Sequence, residues 1–138
     1  MVDSGAGATV VGPEQVKAVQ AGEPTGAVYK VADGTHITNQ GSKSFEAVTD
    51  DYSPHRITAQ VTNVEEPLLS VGQVVNSGNV VVFSPKGSYI DLVAKQGPKG
   101  IILAKRIPLR PDGNVYKLNM CIPKGQKASF QGPAKALL

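Results

Sequence analysis

The chain has 138 residues with 14 Lys/Arg against 11 Asp/Glu, enough for one domain with a buried core and short for two. Its apolar residues are mostly β-branched or aliphatic, with 18 Val against three Phe, four Tyr and no Trp, and 15 Gly and 10 Pro cut it into short pieces; this predicts an all-β fold with many turns. The single Cys121 excludes an internal disulfide, and with His36 and His55 it makes no metal-ligand set; no run approaches the ~20 apolar residues of a membrane span and no basic-then-apolar leader follows Met1, so a soluble, cytoplasmic chain without metal or cofactor is expected.

The first informative stretch is Val2-Asp3-Ser4-Gly5-Ala6-Gly7-Ala8-Thr9-Val10-Val11, a carboxylate between an apolar residue and a turn of small residues that leads into an apolar run. On such a turn the Ser hydroxyl and following backbone N–H groups can orient the carboxylate, and Gly5 lets a second copy of the loop approach closely. Asp3 is therefore the candidate for chemistry. Gly12 to Gly22 reads as a short helix with Pro13 at its first position, Glu14 in its first turn and a narrow stripe of Val16 and Val19. Ala27 to Val31 and Thr35 to Thr38 flank Ala32-Asp33-Gly34, the pattern of a tight hairpin. His36 beside that tip is expected to face solvent.

Gly41 to Val48 is a further strand, and Thr49 to Arg56 a polar loop in which Asp50 and Asp51 are expected to be solvated. Ile57 to Val64 alternates apolar and polar residues strictly, predicting one buried and one wet face. Leu68-Leu69-Ser70 then runs straight into a short helix over Val71 to Ser77, with Gly78 as its terminator. Asn79 to Ser84 and Ser88 to Leu92, joined at Pro85-Lys86-Gly87, form a second hairpin whose Val-Val-Val-Phe run predicts a central strand. Ile101 to Leu103 is a buried strand, Pro108 to Gly113 a turn, and Val115 to Met120 a last strand followed by Cys121 as a small buried or edge residue. From Lys124 on no period is visible, so residues 124–138 are expected to form a mobile basic tail with Ala136-Leu137-Leu138 as a candidate for docking. Residues 99 to 138 carry eight Lys/Arg against Asp112 alone, while residues 1 to 98 carry six against ten acids. With only Tyr116 and Phe130 there for stacking, that basic end is read as solvated, and no nucleic-acid role is expected of this domain.

The Asp3-Ser4-Gly5-Ala6 loop with Thr9 following resembles the Asp-Thr/Ser-Gly-Ala loop of retropepsins, the aspartic proteases of retroviruses and retrotransposons. Leu68 to Gln73 with Asn79 to Ile90 resembles the Leu-Leu-Ser-Val-x-Gln segment and following hairpin of copia-type retrotransposon polyproteins. Lys30 to Thr35 is similar to their flap, and Gly113 to Leu118 to the strand that leads toward their pre-integrase region. The resemblance implies a retropepsin-like β-barrel over residues 1–123 with one or two short helices, cleaving a polyprotein. By the resemblance Asp3, Ser4 and Gly5 form the catalytic loop, Ser4 bracing the opposite copy, while Ala6, Ala32, Asp33, Gly34 and Leu69 contact the substrate backbone. Peptide hydrolysis by aspartates needs two carboxylates sharing one proton, and no second Asp-Ser/Thr-Gly occurs, so a homodimer is implied. One departure is that retropepsins carry strands before the catalytic loop, whereas only Met1 and Val2 precede Asp3 here, as in an N-terminally shortened domain. The alternatives are a non-catalytic β-barrel module derived from such a protease, and a nucleotide-binding enzyme suggested by Gly5-Ala6-Gly7. The second fails on context: no strand precedes the glycines and no Lys-Ser/Thr follows to hold phosphate.

Overall fold

In a computed structural model the chain is described over residues 1–31, 33–123 and 135–137. Nearly all its regular structure is strand, in a curled, half-closed arrangement with one short helix. The strands are β1 (Val2–Asp3), β2 (Val10–Val11), β3 (Val28–Lys30), β4 (His36–Thr38), β5 (Ser42–Thr49), β6 (Pro54–Val61) and β7 (Leu69–Ser70). After the helix α1 (Val71–Asn76) come β8 (Val80–Val82), β9 (Ser88–Gly97), β10 (Gly100–Asp112), β11 (Val115–Lys117), β12 (Met120–Cys121) and β13 (Lys135–Ala136). One sheet has six strands in the order β7-β1-β11-β10-β9-β8; a second runs β12-β5-β6-β13 with β2 also on β6; β3 and β4 form a separate hairpin.

The β5–β6 hairpin is where pattern and structure agree most closely. Every second residue points inward, so Phe45 and Ala47 of β5 and Ile57, Ala59 and Val61 of β6, with Val11 of β2 beside them, lie in the core against Val2, Leu69, Ile90, Leu92, Ile107 and Leu109 from the other sheet. Each large aliphatic of that set contributes about 1.5–3 kcal/mol by leaving water. β6 begins at Pro54 rather than after Arg56, so the polar loop between the strands is shorter than the sequence suggests. A proline is tolerated at the first residue of a strand. Asp50 and Asp51 are both exposed, as expected, and Asp51 also pairs with Lys105 and accepts the Thr49 hydroxyl at 2.6 Å.

Four readings of the sequence are corrected. Residues 13–19 form turns and bends, not a helix: Val16 has a φ of 54°, and the buried Lys43 ammonium donates to the carbonyls of Gln15 (3.0 Å) and Val16 (3.1 Å). A carbonyl that accepts from a buried cation is diverted from a helical ladder, and the left-handed residue breaks the repeat. Val19 still reaches the core and Val16 packs against it. β8 is an edge strand with Val80 exposed, not a central one, because α1 and the following turn carry it to the margin of the sheet beside β9 alone.

Pro108 to Asp112 continues β10 instead of turning, and the turn falls at Gly113, whose φ is +63°. β9 flanks β10 only as far as Leu109 and β11 only from Arg110, so each proline has a side without a neighbouring strand. The last predicted strand is two: β11 joins β10 in the first sheet and β12 joins β5 in the second, with Leu118 and Asn119 crossing between them. Cys121 lies exposed at that edge. Of the expected tail, residues 124–134 and Leu138 lie outside the described residues, while β13 runs parallel to β6 and Leu137 is fully buried, the docking expected there.

Candidate active site

The loop from Asp3 to Thr9 is held at both ends by one element. β1 lies parallel to β7, Val2 opposite Leu69 and Asp3 opposite Ser70, and antiparallel to β11 through Tyr116. At the far end, Val10 and Leu68 exchange both backbone hydrogen bonds, at 2.9 and 3.0 Å. The loop thus leaves and rejoins the Leu68–Ser70 segment. A parallel pair this short has little stability of its own, so side chains must close the loop.

Those side chains are Thr9, Ser70 and Gln73. Ser70, entirely buried, donates its hydroxyl to the Ala6 carbonyl at 2.6 Å and accepts from the Gln73 N–H at 3.2 Å as the N-cap of α1. Its own N–H donates to Thr9 Oγ1 at 2.9 Å. The Thr9 N–H in turn donates to Gln73 Oε1 at 2.8 Å. Sequence supplies each member for a local reason: a hydroxyl caps the helix, and the glutamine three residues on reaches back past the helix start. Together they satisfy buried polar groups on both segments and fix the loop's curvature.

The fixed loop presents Asp3 at its outer end. Asp3 Oδ1 accepts the Gly5 N–H at 2.8 Å, and the other carboxylate oxygen makes no hydrogen bond among the described residues. A Cβ at Gly5 would sit 3.3 Å from Asp3 Oδ1, so the glycine leaves the carboxylate face uncrowded. Ser4 is exposed beside it. Asp3 and Ser4 border an open cavity of about 310 Å³ whose other walls are Met1, Val2, Phe83, Asn114, Val115 and Tyr116. The Phe83 and Tyr116 rings meet with centroids 4.8 Å apart, forming an aromatic wall next to the carboxylate. Phe83 and Val115 are partly exposed.

The remaining candidates fall elsewhere. Ala6 contributes its carbonyl to the Ser70 hydroxyl and so holds the loop. Leu69 packs in the core and lines a larger apolar cavity between the sheets rather than the one at Asp3. Asp33 and Gly34 sit at the exposed tip of the β3–β4 hairpin, as the sequence predicts, with Gly34 at φ +88°; Ala32 lies outside the described residues. Asp33 accepts from the Thr35 N–H at 2.8 Å and from the Thr35 hydroxyl, and these bonds hold its carboxyl below the usual range. The base of the hairpin is tied down by the buried Asn39, which bonds Gln60, Tyr29 and the Thr25 and Gly41 amides, and by the Thr62 hydroxyl on the Thr38 carbonyl. His36 is exposed, as expected.

Val115 reaches the site through the pairing of β1 with β11, and Phe83, just past β8 at the far edge of the same sheet, is at the site in ring contact with Tyr116. Nothing local to Asp3 signals them. Gln73 belongs to the Leu68–Gln73 segment that the sequence singles out, but the hydrogen bond it accepts from Thr9 joins residues 64 positions apart. Among the described residues no cluster of His, Cys, Asp or Glu could hold a metal ion, and no helix is long and apolar enough to cross a membrane. The chain matches no protein-family model, and no curated protein or solved structure gives a significant match.

Proposed function

We propose that this chain is a retropepsin-like aspartic endopeptidase domain of the copia type, active as a homodimer on an extended polyprotein segment. The observation that carries the reading is the Asp3 loop clamped to Leu68–Gln73 by Thr9, Ser70 and Gln73, with the carboxylate left at the mouth of an open cavity. An isolated Asp-Ser-Gly turn needs no such clamp, whereas a catalytic carboxylate must be held to within a fraction of an ångström.

In this reading Asp3 of one copy meets Asp3 of another across a two-fold axis, with Gly5 permitting the approach and Ser4 bracing the opposite loop. Two carboxylates that close cannot both ionise, so the pair holds one proton. The ionised member takes a proton from water as that water attacks the scissile carbonyl, and the protonated member hydrogen-bonds the carbonyl oxygen. The member that took the water's proton then passes it to the leaving nitrogen as the C–N bond breaks, which leaves the pair holding one proton again. Phe83, Val115 and Tyr116 supply an apolar wall for a substrate side chain, and the β3–β4 hairpin, easily bent at Gly34, closes over the peptide backbone.

The test is cleavage of an extended peptide library at mildly acid pH. Activity that pepstatin blocks, that rises with protein concentration as dimers form, and that Asp3→Asn abolishes is the expected result. A folded, dimeric wild type that cleaves nothing leaves a non-catalytic β-barrel module, and an Asp3→Asn variant that cleaves as well as wild type removes Asp3 from the chemistry.

A further inference from the structure

Side chains inside a protein ordinarily interdigitate and leave few voids wider than a water molecule. Between the two sheets of this chain lies an open cavity of about 460 Å³, larger than the one at Asp3 and without Asp3 in its walls. Val11, Phe45, Ala47 and Ile57 line it from one sheet and Leu69 from the other, all of them buried. Leu118 and Met120, partly buried, and Ile122, exposed, carry the apolar lining outward.

The ionised side chains that line the cavity are Glu66, Arg110 and Lys117. Glu66 and Lys117 pair at 3.0 Å, and Lys117 reaches Asp112 as well at 3.5 Å, so their charges answer each other. The Met1 ammonium on the same wall donates to the Pro67 carbonyl at 2.8 Å. Arg110 differs from these. It stands directly across from Lys117 in the β10–β11 register, which puts both side chains on one face of the sheet. It is exposed, and among the described residues no hydrogen bond or ion pair holds its guanidinium. Arg110 also lines an adjoining hollow of about 350 Å³, in which Lys105, Arg106, Arg110 and Lys117 face Asp50 and Asp51. Lys105 is paired there with Asp51, and Arg106 with Asp91. Small-molecule sites are mostly apolar cavities of roughly 300–1,000 Å³ with a few polar groups that fix the ligand's orientation. An apolar cavity of that size beside an uncommitted guanidinium fits a ligand with a hydrocarbon body and an anionic head.

We propose that this cavity is a binding site for a medium-chain carboxylate, its hydrocarbon chain lying among Val11, Phe45, Ile57 and Leu69 and its carboxylate at the Arg110 guanidinium. The chain gains by leaving water, and the lining gains the contacts that an empty space denies it. A guanidinium receives a carboxylate through two parallel N–H···O bonds, whereas it repels an ammonium head. Affinity therefore comes mainly from the chain and selectivity from the head group. The inference involves neither Asp3 nor a dimer and stands apart from the protease reading.

The experiment is calorimetric titration of the full chain with sodium decanoate, below its micelle concentration, and with decylamine for comparison. Wild type is expected to bind decanoate saturably and decylamine at least about tenfold more weakly, and Arg110→Gln to lose about tenfold in decanoate affinity. Arg110 is exposed, so the variant should keep the urea midpoint of wild type. Bound decanoate should also shift the methyl resonances of Ile57 and Leu69 in a carbon–proton correlation spectrum. Folded wild type that shows no saturable decanoate binding overturns the proposal. So do equal affinities for the two head groups, an unchanged decanoate affinity in Arg110→Gln, or methyl shifts that spare Ile57 and Leu69.

Discussion

Replacing Ser70 by Ala tests whether the loop that carries Asp3 is built by the Thr9–Ser70–Gln73 network or merely decorated by it. The hydroxyl has two partners, the Ala6 carbonyl as acceptor and the Gln73 N–H as donor, and the residue is entirely buried. Loss of a Ser N-cap costs about 1 kcal/mol. Depriving the part-buried Ala6 carbonyl of its donor adds about 1 kcal/mol, the lower end for an orphaned group because some water can reach it. The sum, about 2 kcal/mol, corresponds to roughly 6–8 °C in Tm for a domain of this size. The assay is urea denaturation followed by circular dichroism at fixed protein concentration, so that association does not shift the midpoint. Thr9→Val in the same background completes the cycle: Ser70→Ala removes the hydroxyl bond to the Ala6 carbonyl and Thr9→Val the acceptor of the Ser70 N–H, which alanine keeps, and because both bonds hold one loop the two losses should fail to add by more than about 0.5 kcal/mol. A loss below about 0.5 kcal/mol for Ser70→Ala, or strict additivity with Thr9→Val, refutes the network as the support of the loop.

Other expectations follow from the same geometry. Burial holds the His55 pKa below its ordinary value of 6.5, so the folded state binds fewer protons than the unfolded one as pH falls below that value. Stability should be fully present above about pH 6.5 and decline on acidification, and His55→Asn should flatten the decline in a series of melting curves. A Cβ at Gly41 would lie 2.2 Å from the Gly22 carbonyl oxygen with φ at +116°, whereas one at Gly34 meets nothing within 4 Å. Gly41→Ala should therefore lose several kcal/mol or fail to fold, and Gly34→Ala only about 1 kcal/mol; equal midpoints for the two variants would contradict the close packing of that turn. Arg106 grips the buried Asp91 with two hydrogen bonds, at 2.7 and 3.0 Å, and stacks over the Tyr89 ring. A lysine reproduces neither the fork nor the stack, so Arg106→Lys should lower the denaturant midpoint, by an amount that the exposure of the guanidinium keeps small.

Much of the fold could be read from local pattern because it depends on local physics. Strict alternation makes β5 and β6 strands with one buried face, Asp33-Gly34 makes a tight turn, and Ser70 with Gly78 brackets a helix of six residues. Those signals involve residues close in sequence, so no distant partner can easily reverse them. Where a distant partner competes, local pattern fails. Residues 13–21 have helix punctuation, yet the Lys43 ammonium takes the carbonyls a helix would use. The Val80–Val82 run is apolar enough for a central strand, yet connection order leaves it at the edge.

The same division holds for the site. Sequence alone determined that an acidic residue sits on a small-residue turn and that a leucine pair runs into a capped helix, because both are statements about neighbours. Only the tertiary structure decided that the two stretches grip each other through Thr9, Ser70 and Gln73, and that Phe83, Val115 and Tyr116 wall the space beside Asp3. The physical reason is that these contacts form between strands far apart in the chain, where each side chain's partner is set by register and sheet order and leaves no trace in the residues around it.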